Sequence, residues 1–506
     1  MQAPSGRFIV AALCVLVFAG SLGGGYVLDD TRLVRDNPEI TSPRRALAYF
    51  GEDYWWPHRV SGLYRPLTLL SFSVDHAVGA GAPLVFHASN LALHAVCSLL
   101  VLALFRALGA SAAVSVGGAS LFAALAVHTE VVANLAGRSE LLAAAFALAA
   151  LLAHVRGGRL AFAAPPLFGA ALLCKESAIA LPLVMLLYDW LWRREHPLST
   201  RRNAALAASL LAVALGYLAL RSFALEGSPL PVPSRMDNPL VELALPLRVL
   251  NALAVAQRYL GLLLFPAVLR YDYSLAQIPL LVSFREPMAL LVLFACALEL
   301  CATIWIARRS RLAAFGLGLS LASFAVVSNL AIPIGTILGE RLLYFPSVGF
   351  CLLVALGLER LLRSHPRALP AALALLVALN AARAAVRTSE WKSEERLYLA
   401  DLPRSPNSAR VQINAGFAEQ LRGDHARALQ HFDRALEIEP SFRDAYRNAG
   451  ISLFMLGDYE QAIRVFRDEL TRSPDDRELM RYLARALQRL GRHQEAAQVS
   501  ARADAG

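Results

Sequence analysis

Two adjacent carboxylates, Asp29 and Asp30, follow directly after the first apolar stretch of the chain. Residues 8–28 carry no charged side chain and are long enough to cross a bilayer. Acids placed directly after such a stretch reach both water and the headgroup end of a lipid. There they could take a proton from an attacking hydroxyl group. The alternative, for the pair taken by itself, is the ordinary polar flank of a membrane helix.

Further polar clusters interrupt the apolar background, and charge counting places nearly all of them on the outer side. In chain order they are Tyr64-Arg65-Pro66, Phe86-His87-Ala88-Ser89-Asn90 with His94, His128-Thr129-Glu130, Gly137-Arg138-Ser139-Glu140, Lys175-Glu176 and Gly339-Glu340-Arg341. Each also has a structural explanation. His87, Asn90 and His94 share one helical face and could form a polar helix–helix contact, and Lys175 could neutralise Glu176. Together, acids and bases at one membrane face indicate an anionic ligand handled by acid–base chemistry.

The composition is that of a polytopic membrane protein. Of the 506 residues, 57% are hydrophobic and 17% are charged, whereas soluble domains are about 25% charged. Residues 401–506 hold equal numbers of basic and acidic residues, so the first 400 residues carry the net charge of +10. Basic cytoplasmic loops explain this excess without a nucleic-acid partner. The six cysteines show no metal-ligand spacing or disulfide framework.

Apolar stretches recur through the first 386 residues and predict an all-α domain with about 11 membrane spans. After the first, they cover residues 84–107, 111–127, 139–155, 159–174, 177–192, 203–222, 288–307, 312–331, 342–362 and 368–386. The positive-inside rule then places the N-terminus in the cytoplasm and the C-terminal region outside. Residues 243–266 contain Arg248 and Arg258, and a crossing there would put Arg308-Arg309 outside. We therefore expect that stretch to be interfacial or re-entrant.

The longest external connection runs over residues 29–83. Its Tyr54-Trp55-Trp56 group has the aromatic character of a membrane-interface belt. Loops of this length are uncommon unless they are functional. We expect short interfacial helices that cover the entrance to a cavity.

The C-terminal part is a repeat array. Proline recurs at positions 406, 440 and 474, glycine at 423, 457 and 491, and alanine at 428, 462 and 496. This 34-residue period is that of the tetratricopeptide repeat, in which stacked helix pairs share one core. We expect a membrane domain over residues 1–389, a linker at 390–406 and three repeats at 407–440, 441–474 and 475–506. Such arrays bind polypeptides, although a spacer or dimerisation role fits the pattern equally well.

The order of these motifs along the chain and the residues in each resemble those of the transmembrane and tetratricopeptide-repeat O-mannosyltransferases. The resemblance rests on the clusters above together with Asp272-Tyr273-Ser274 and Glu340-Arg341-x-x-Tyr344-x-Pro346-Ser347-x-Gly349. It covers almost the whole chain and implies the C-type (GT-C) glycosyltransferase fold. The chain differs from animal relatives in its few repeats and in its His128-Thr129-Glu130 turn, differences that bear on acceptor choice.

The resemblance implies inverting transfer of a sugar, mannose first, from a polyprenyl-phosphate sugar to a Ser or Thr hydroxyl of an extracytoplasmic protein. It assigns the base to Asp29 or Asp30 and the donor phosphate to Arg341, Arg138 and Lys175, with orienting or sugar-binding roles for Glu340, Glu130, Glu176, Arg65, His87 and His94. Arg341 is the preferred phosphate ligand, because a guanidinium group binds phosphate oxygens in pairs.

Several alternatives stay open. A divalent ion held by Asp29, Asp30 and a glutamate could assist the leaving phosphate, although we expect no resident cofactor or metal. The chain could be a non-enzymatic scaffold that recruits a partner through its repeats, in which case the polar residues would pair among themselves and leave no cavity. A transporter would need matching inverted halves, and none is visible. The Arg- and Ala-rich composition is typical of a GC-rich bacterium, so we expect an inner-membrane protein with periplasmic repeats.

Overall fold

The computed structural model describes residues 5–58, 61–193, 200–227 and 233–504, and within these ranges its regular secondary structure is entirely helical. The α-helices are α1 (Ser5–Phe18), α2 (Pro66–Gly79), α3 (Pro83–Ala107), α4 (Ala112–Ala124), α5 (Thr129–Ala133), α6 (Arg138–Arg156), α7 (Ala164–Cys174), α8 (Leu181–Trp192), α9 (Thr200–Ala224), α10 (Leu245–Leu264), α11 (Pro287–Ala307), α12 (Arg311–Ala325), α13 (Ser347–Leu361), α14 (Ala368–Glu390), α15 (Glu394–Asp401), α16 (Ala409–Leu421), α17 (His425–Ile438), α18 (Arg443–Leu456), α19 (Tyr459–Arg472), α20 (Arg477–Arg489) and α21 (His493–Asp504). The all-α prediction is confirmed. The chain divides into two compact units, a membrane unit (Met1–Leu269 with Leu280–Ser393) and a repeat unit (Arg270–Pro279 with Glu394–Gly506).

Proline marks the beginning of many helices of the membrane unit. It stands in the first turn of α2, α3, α7, α8, α10 and α11. The fixed φ of proline suits that position, and its missing N–H would have no intrahelical partner there. These prolines therefore set where the apolar segments become helical.

Seven described helices are long and apolar enough to cross a membrane, which makes the chain an integral membrane protein. They are Gly6–Gly23, Pro83–Ala107, Leu135–Arg156, Ala204–Ala224, Leu245–Leu264, Pro287–Ala307 and Ala368–Glu390. An eighth span results if the bent pair Ala112–Ala124 and Ala126–Ala133 is counted as one. This count differs from the expected 11, because several predicted spans fold as shorter helices.

The interruption at Lys175 illustrates why some apolar stretches fall short. α7 has 11 residues and α8 has 12. Between them the backbone of Lys175 is extended and residues 176–180 form a 3₁₀ turn. A buried cation needs a carboxylate partner, and the break in the helix brings the Lys175 side chain to Glu140.

Helix α10 (Leu245–Leu264) covers most of residues 243–266, the stretch that the sequence predicts to be interfacial or re-entrant. It is a 20-residue helix of sufficient length and hydropathy to span. Its polar residues are matched by neighbours: Asn251 exchanges two hydrogen bonds of 2.8 Å with the backbone of Leu281, and Gln257 donates to Glu299 on α11 at 2.9 Å. Partners distant in sequence therefore make these polar groups compatible with an apolar helix.

The connection between α1 and α3 is a folded layer built from short helical turns and α2. A π-helical turn covers Thr31–Arg35, and 3₁₀ turns cover Pro38–Thr41, Pro43–Arg45 and Ala48–Gly51. Tyr49, Tyr54, Trp55 and Phe72 share a buried apolar cluster with Phe86 of α3. The short helices are as expected. Of the aromatic group, Tyr54 and Trp55 are buried core residues and only Trp56 is exposed.

In the repeat unit, each predicted repeat, including the shortened third one, contains two helices: α16 and α17, α18 and α19, and α20 and α21. The turn glycine Gly457 has φ +86°, a left-handed conformation that ends α18. A Cβ on Gly450 would lie 2.5 Å from Cε1 of Phe466, so glycine there lets α18 and α19 pack closely. Helix α15 occupies part of the expected linker at 390–406.

Ten residues from between α10 and α11 belong to the repeat unit. The carboxylate of Asp272 accepts hydrogen bonds from the hydroxyls of Ser274 and Ser408, each at 2.6 Å. The N–H of Tyr271 donates to Asp401 at 2.6 Å. The Asp272-Tyr273-Ser274 motif therefore organises the start of the first repeat.

Candidate active site

Arg341 lies on the 3₁₀ turn Glu340–Leu343 and is held there by Glu130 of α5. Its backbone N–H donates to Oε2 of Glu130 at 2.8 Å, and Nη1 forms an ion pair with Oε1. The negative charge of Glu130 raises the pKa of Arg341. The side chain is 38% exposed, and no described residue contacts its Nε or Nη2 within hydrogen-bond distance. Arg341 is thus fixed in place yet keeps donors for a ligand.

Two asparagines shape the loop that delivers Arg341. Asn329 adopts φ +62°, and its side-chain amide donates to the carbonyl oxygens of Thr336 and Ile337 at 3.2 Å. Asn238 donates to Asn329 Oδ1 at 2.8 Å. Buried asparagines satisfy backbone groups that an irregular loop would otherwise leave unpaired, so this network fixes the approach to the 3₁₀ turn.

Two further cation–carboxylate pairs lie at the same end of the membrane unit. Arg65 donates to both carboxylate oxygens of Glu176, at 3.0 and 2.6 Å. Lys175 forms an ion pair with Glu140 on α6. Burial by itself would raise the pKa of Glu176, but Arg65 and Lys175 outweigh it and lower that pKa to about 2. Burial lowers the pKa of Lys175, against the effect of Glu140.

These three pairs form one electrostatic cluster. The pKa of Arg341 is raised by Glu130 first and then also by Asp29 and Glu140. Burial opposes the rise in the pKa of Arg65, which Glu176 causes with help from Tyr54 and Glu140. One charge shifts the pKa of another group appreciably only when the two groups lie close together or when little solvent screens them. The structure therefore brings together Arg341, Lys175, Arg65, Glu130, Glu176 and Asp29 from the sequence prediction.

The adjacent acids Asp29 and Asp30 have different environments. Asp29 is exposed. Asp30 is fully buried, and its oxygens accept hydrogen bonds from the backbone N–H groups of Ala136 at 2.8 Å and Val27 at 3.3 Å. Burial raises the pKa of Asp30 to about 7, although these N–H groups act in the opposite direction. Asp30 thus anchors the first loop to the turn before α6, and Asp29 is the acid open to a ligand.

Arg138 is committed to internal contacts. It is 1% exposed and pairs with Asp75 of α2 at 2.8 Å. It also donates to Asn90 Oδ1 and to the carbonyl oxygen of Phe86. A phosphate cannot reach this guanidinium group without dismantling the contact between α2, α3 and α6, so the geometry gives Arg138 a positioning role.

The remaining predicted residues are also buried. Nδ1 of His94 lies 2.8 Å from the Tyr344 hydroxyl, and its Nε2 lies 3.1 Å from the carbonyl oxygen of Ala123. Nε2 of His87 lies 3.2 Å from the carbonyl oxygen of Gly25, and Glu340 is buried in the turn beside Arg341. His94 is therefore a polar helix–helix contact, as its alternative explanation proposed.

Sequence reasoning missed Asp75, and it named Tyr54 and Glu140 without assigning either of them to the site. Tyr54 lies beneath Arg65, whose guanidinium carbon is 5.1 Å from the ring centroid. The Tyr54 hydroxyl is buried without a hydrogen-bond partner among the described residues, which is unusual for a buried polar group. Glu140 belongs to the Gly137-Arg138-Ser139-Glu140 motif, which the sequence analysis names. Its partner Lys175 lies between α7 and α8, and the sequence does not indicate this pairing.

An apolar cleft begins beside the cluster. It is lined by Ala143, Ala144 and Ala147 of α6, with Ala178, Leu181, Val327, Leu342 and Phe345 opposite, and Glu140 is among its polar lining residues. Its volume is about 30 Å³, so it is narrow. Small side chains on α6 leave an apolar track that leads from the charged cluster.

Within the described residues, no group of three or more His, Cys, Asp or Glu side chains could hold a metal ion. The cationic side chains of the electrostatic cluster are Arg341, Lys175 and Arg65. Of these, Arg341 has the most exposed side chain.

Comparison with family models identifies two segments. Residues 227–299 match the model described as Protein O-mannosyl-transferase TMTC, DUF1736. Residues 415–477 and 447–506 match the tetratricopeptide repeat, which confirms the repeat prediction.

Comparison with curated proteins finds similarity over most of this chain. It is 29% identical to Protein O-mannosyl-transferase Tmtc3 of Drosophila melanogaster, with 85% of this chain and 54% of that protein covered. Human TMTC3 is 28% identical, with coverages of 85% and 51%, and human TMTC4 is 28% identical, with coverages of 84% and 65%. The chain spans about half the length of the first of these relatives.

Among solved structures, the crystal structure of ArnT from Cupriavidus metallidurans bound to undecaprenyl phosphate has a TM-score of 0.42 and 15% identity. The alignment covers 92% of this chain and 80% of that one.

The raised pKa of Asp30 predicts a pH-dependent stability. Its folded value of about 7 lies above the ordinary value of 3.8, so the folded state retains the proton longer than the unfolded state. Stability contributed by this group is present at low pH and is lost as the pH rises towards 7. The unfolding temperature of Asp30→Asn minus that of wild type should therefore increase from about pH 5 to about pH 8, because only wild type loses this stability.

Thermal unfolding in detergent at the two pH values measures this gain. Asp36→Asn, which changes an exposed acid of the same loop, is the control and should show no such gain. A difference between Asp30→Asn and wild type that does not vary with pH would contradict the assignment.

Proposed function

We propose, from its similarity to the TMTC protein O-mannosyl-transferases, that the chain is a membrane glycosyltransferase. It transfers a sugar, mannose first, from a polyprenyl-phosphate sugar to a Ser or Thr hydroxyl of an extracytoplasmic protein. The transfer is inverting and takes place on a GT-C arrangement of membrane helices. One observation carries the proposal: Glu130 holds Arg341 with its side chain 38% exposed, and the next residue, Leu342, lines an apolar cleft.

The chemistry needs a base, and Asp29 is the accessible one of the two acids. Its carboxylate takes the proton of the attacking Ser or Thr hydroxyl as the bond to the sugar forms. General-base assistance of this kind contributes roughly 10²–10⁴-fold to a rate. Asp30, buried on backbone N–H groups, fixes the loop from which Asp29 projects.

The leaving phosphate needs cations that are already in place. Glu130 holds Arg341 by its backbone and by Nη1, which leaves Nε and Nη2 for two phosphate oxygens. Lys175 adds a second positive charge nearby, with Glu140 holding its ammonium group. Fixed donors stabilise charge that develops on the leaving group without reorganising during the reaction.

The polyprenyl chain takes the alanine-lined cleft next to the cluster. The cleft runs between α6 on one side and α8 with the loop before α13 on the other. Because its volume is only about 30 Å³, the chain enters by parting these elements at the lipid face. Donor binding is thereby coupled to a local opening of the membrane unit.

A non-enzymatic scaffold is the second candidate, since the three cations do pair with carboxylates. It has no use for the exposed acid Asp29, nor for a buried Tyr54 hydroxyl that lacks a hydrogen-bond partner among the described residues. In the enzyme, that hydroxyl has a natural partner in a sugar hydroxyl. The tetratricopeptide repeats suit docking of the acceptor polypeptide.

Substitution of Asp29 tests the base. Asp29→Asn should lower transfer from polyprenyl-phosphate-mannose by roughly 10²–10⁴-fold, because the amide cannot accept the hydroxyl proton. Its thermal unfolding should match wild type, since the side chain is exposed. Asp36→Asn is the matched control and should keep full activity. Wild-type turnover in Asp29→Asn would remove this residue from the mechanism.

Arg341→Gln tests the phosphate contact. Loss of a charge-assisted contact costs about 1.5–3 kcal/mol, so kcat/KM should fall by at least about tenfold. Arg235→Gln, an exposed arginine outside the cluster, serves as its control. Inhibition by the free product, polyprenyl phosphate, should weaken in parallel with kcat/KM. Undiminished product inhibition in Arg341→Gln would place the phosphate elsewhere.

Filling the cleft tests the lipid track. Ala147→Phe should raise KM for a long-chain donor about tenfold, because exclusion of two methylene groups costs about 1.6 kcal/mol. A donor with a short prenyl chain should be unaffected. Ala149→Phe, on the same helix but outside the lining, is the control. Equal changes for long and short donors would contradict a chain-binding cleft.

A further inference from the structure

A second cleft lies at the other end of the same membrane helices. It has a volume of about 740 Å³ and is bordered by Arg7 of α1, Arg106 of α3 and Arg156 of α6. Its walls are apolar and include Leu99, Leu100 and Val155. We propose that this cleft binds an anionic phospholipid, with the three arginines on its headgroup phosphate and the leucines along an acyl chain.

The position of the cleft matches the opposite membrane interface. Helix α6 carries Glu140 of the candidate active site near its beginning and Arg156 at its end, and it has 19 residues. At 1.5 Å per residue it is about 28 Å long, close to the hydrocarbon thickness of about 30 Å. The arginines therefore lie at headgroup depth on the far side of the bilayer from Arg341.

The charge at this cleft is unbalanced, in contrast to the candidate active site. No acidic residue is among its lining residues. Within the part of the chain that the structure describes, the side chains of Arg7, Arg106 and Arg156 form no ion pair or hydrogen bond. Three converging cations repel one another, so an anion between them lowers the energy of the arrangement.

The helix dipoles show that the three arginines are not all explained as capping residues of helix C-termini. Arg106 and Arg156 lie in the last turns of α3 and α6, where a cation is favoured by the dipole. Arg7 lies in the first turn of α1, where the dipole disfavours a cation and favours an anion. Capping alone explains two of the arginines, and a bound anion explains all three.

Gly6 gives Arg106 access to this position. A Cβ on Gly6 would lie 3.0 Å from Nη2 of Arg106 and 3.0 Å from Cγ2 of Val116. The absent side chain lets the guanidinium group of α3 lie against the beginning of α1. Arg106 is consequently half-buried and fixed over the apolar wall.

The apolar wall favours a lipid over a free anion. Inorganic phosphate would use only the arginines, whereas the leucines of α3 offer a surface to a hydrocarbon chain. Basic pockets between membrane helices on the cytoplasmic side are suited to anionic headgroups. The site is independent of the proposed transferase activity, because its residues take no part in it.

Binding of phosphatidylglycerol to the delipidated full-length protein in detergent tests the proposal. Native mass spectrometry would measure adducts with phosphatidylglycerol, phosphatidylcholine and inorganic phosphate in wild type and in the Arg106→Gln/Arg156→Gln double variant. At about 1 kcal/mol per arginine, affinity for phosphatidylglycerol should fall about thirtyfold. Binding of phosphatidylcholine, which has the same phosphate but no net charge, should fall much less than binding of phosphatidylglycerol. Retained phosphatidylcholine binding also verifies that the variant is folded.

Arg159→Gln is the matched control, because it removes an exposed arginine near the same helix end but outside the cleft. It should bind phosphatidylglycerol as wild type does. If the double variant does not fold, Arg106→Gln and Arg156→Gln alone should each weaken binding about fivefold. Wild-type affinity in the variants would overturn the proposal. Saturation of the cleft by inorganic phosphate with no preference for the lipid would overturn it as well.

Discussion

The hydrogen bonds and ion pair of the buried Arg138 guanidinium group are the interactions on which the active-site end of the membrane unit depends. A charge inside a protein is tolerated only when it is paired and hydrogen-bonded, and Arg138 meets this condition with Asp75, Asn90 and Phe86. Its contacts join α2, α3 and α6 at one point. Removal of one partner would leave an uncompensated buried charge, so these helices hold a fixed geometry from which the exposed cluster projects.

The same end of the molecule separates acids that are neighbours in sequence. Leu28 adopts φ +55°, and the chain turns there so that Asp30 enters the protein while Asp29 faces outwards. Asp30 binds the backbone before α6, and Asp29 contributes to the field at Arg341. One acid therefore fixes the loop, and the other is left for chemistry.

Local patterns were sufficient for the repeats, the helical class and the membrane location. The 34-residue period contains its own partners, since each helix pair packs on its neighbours. Pairings between distant residues could not be derived in this way. The sequence gives no sign that Lys175 pairs with Glu140, that Arg138 pairs with Asp75, or that residues 270–279 join the repeat unit. For the same reason Tyr54 was assigned to an interface belt when it lies beneath Arg65.

The two charged regions of the membrane unit differ in a way that matches their proposed ligands. At the candidate active site each cation already has a carboxylate: Glu130 for Arg341, Glu140 for Lys175 and Glu176 for Arg65. A phosphate that binds in the proposed way replaces or adds to these contacts, so its net affinity stays moderate and the product can leave. At the arginine-lined cleft, the three arginine side chains have no carboxylate partner among the described residues, so a bound anion does not have to compete with one. A balanced cluster suits a ligand that must turn over, and an unbalanced one suits a ligand that stays.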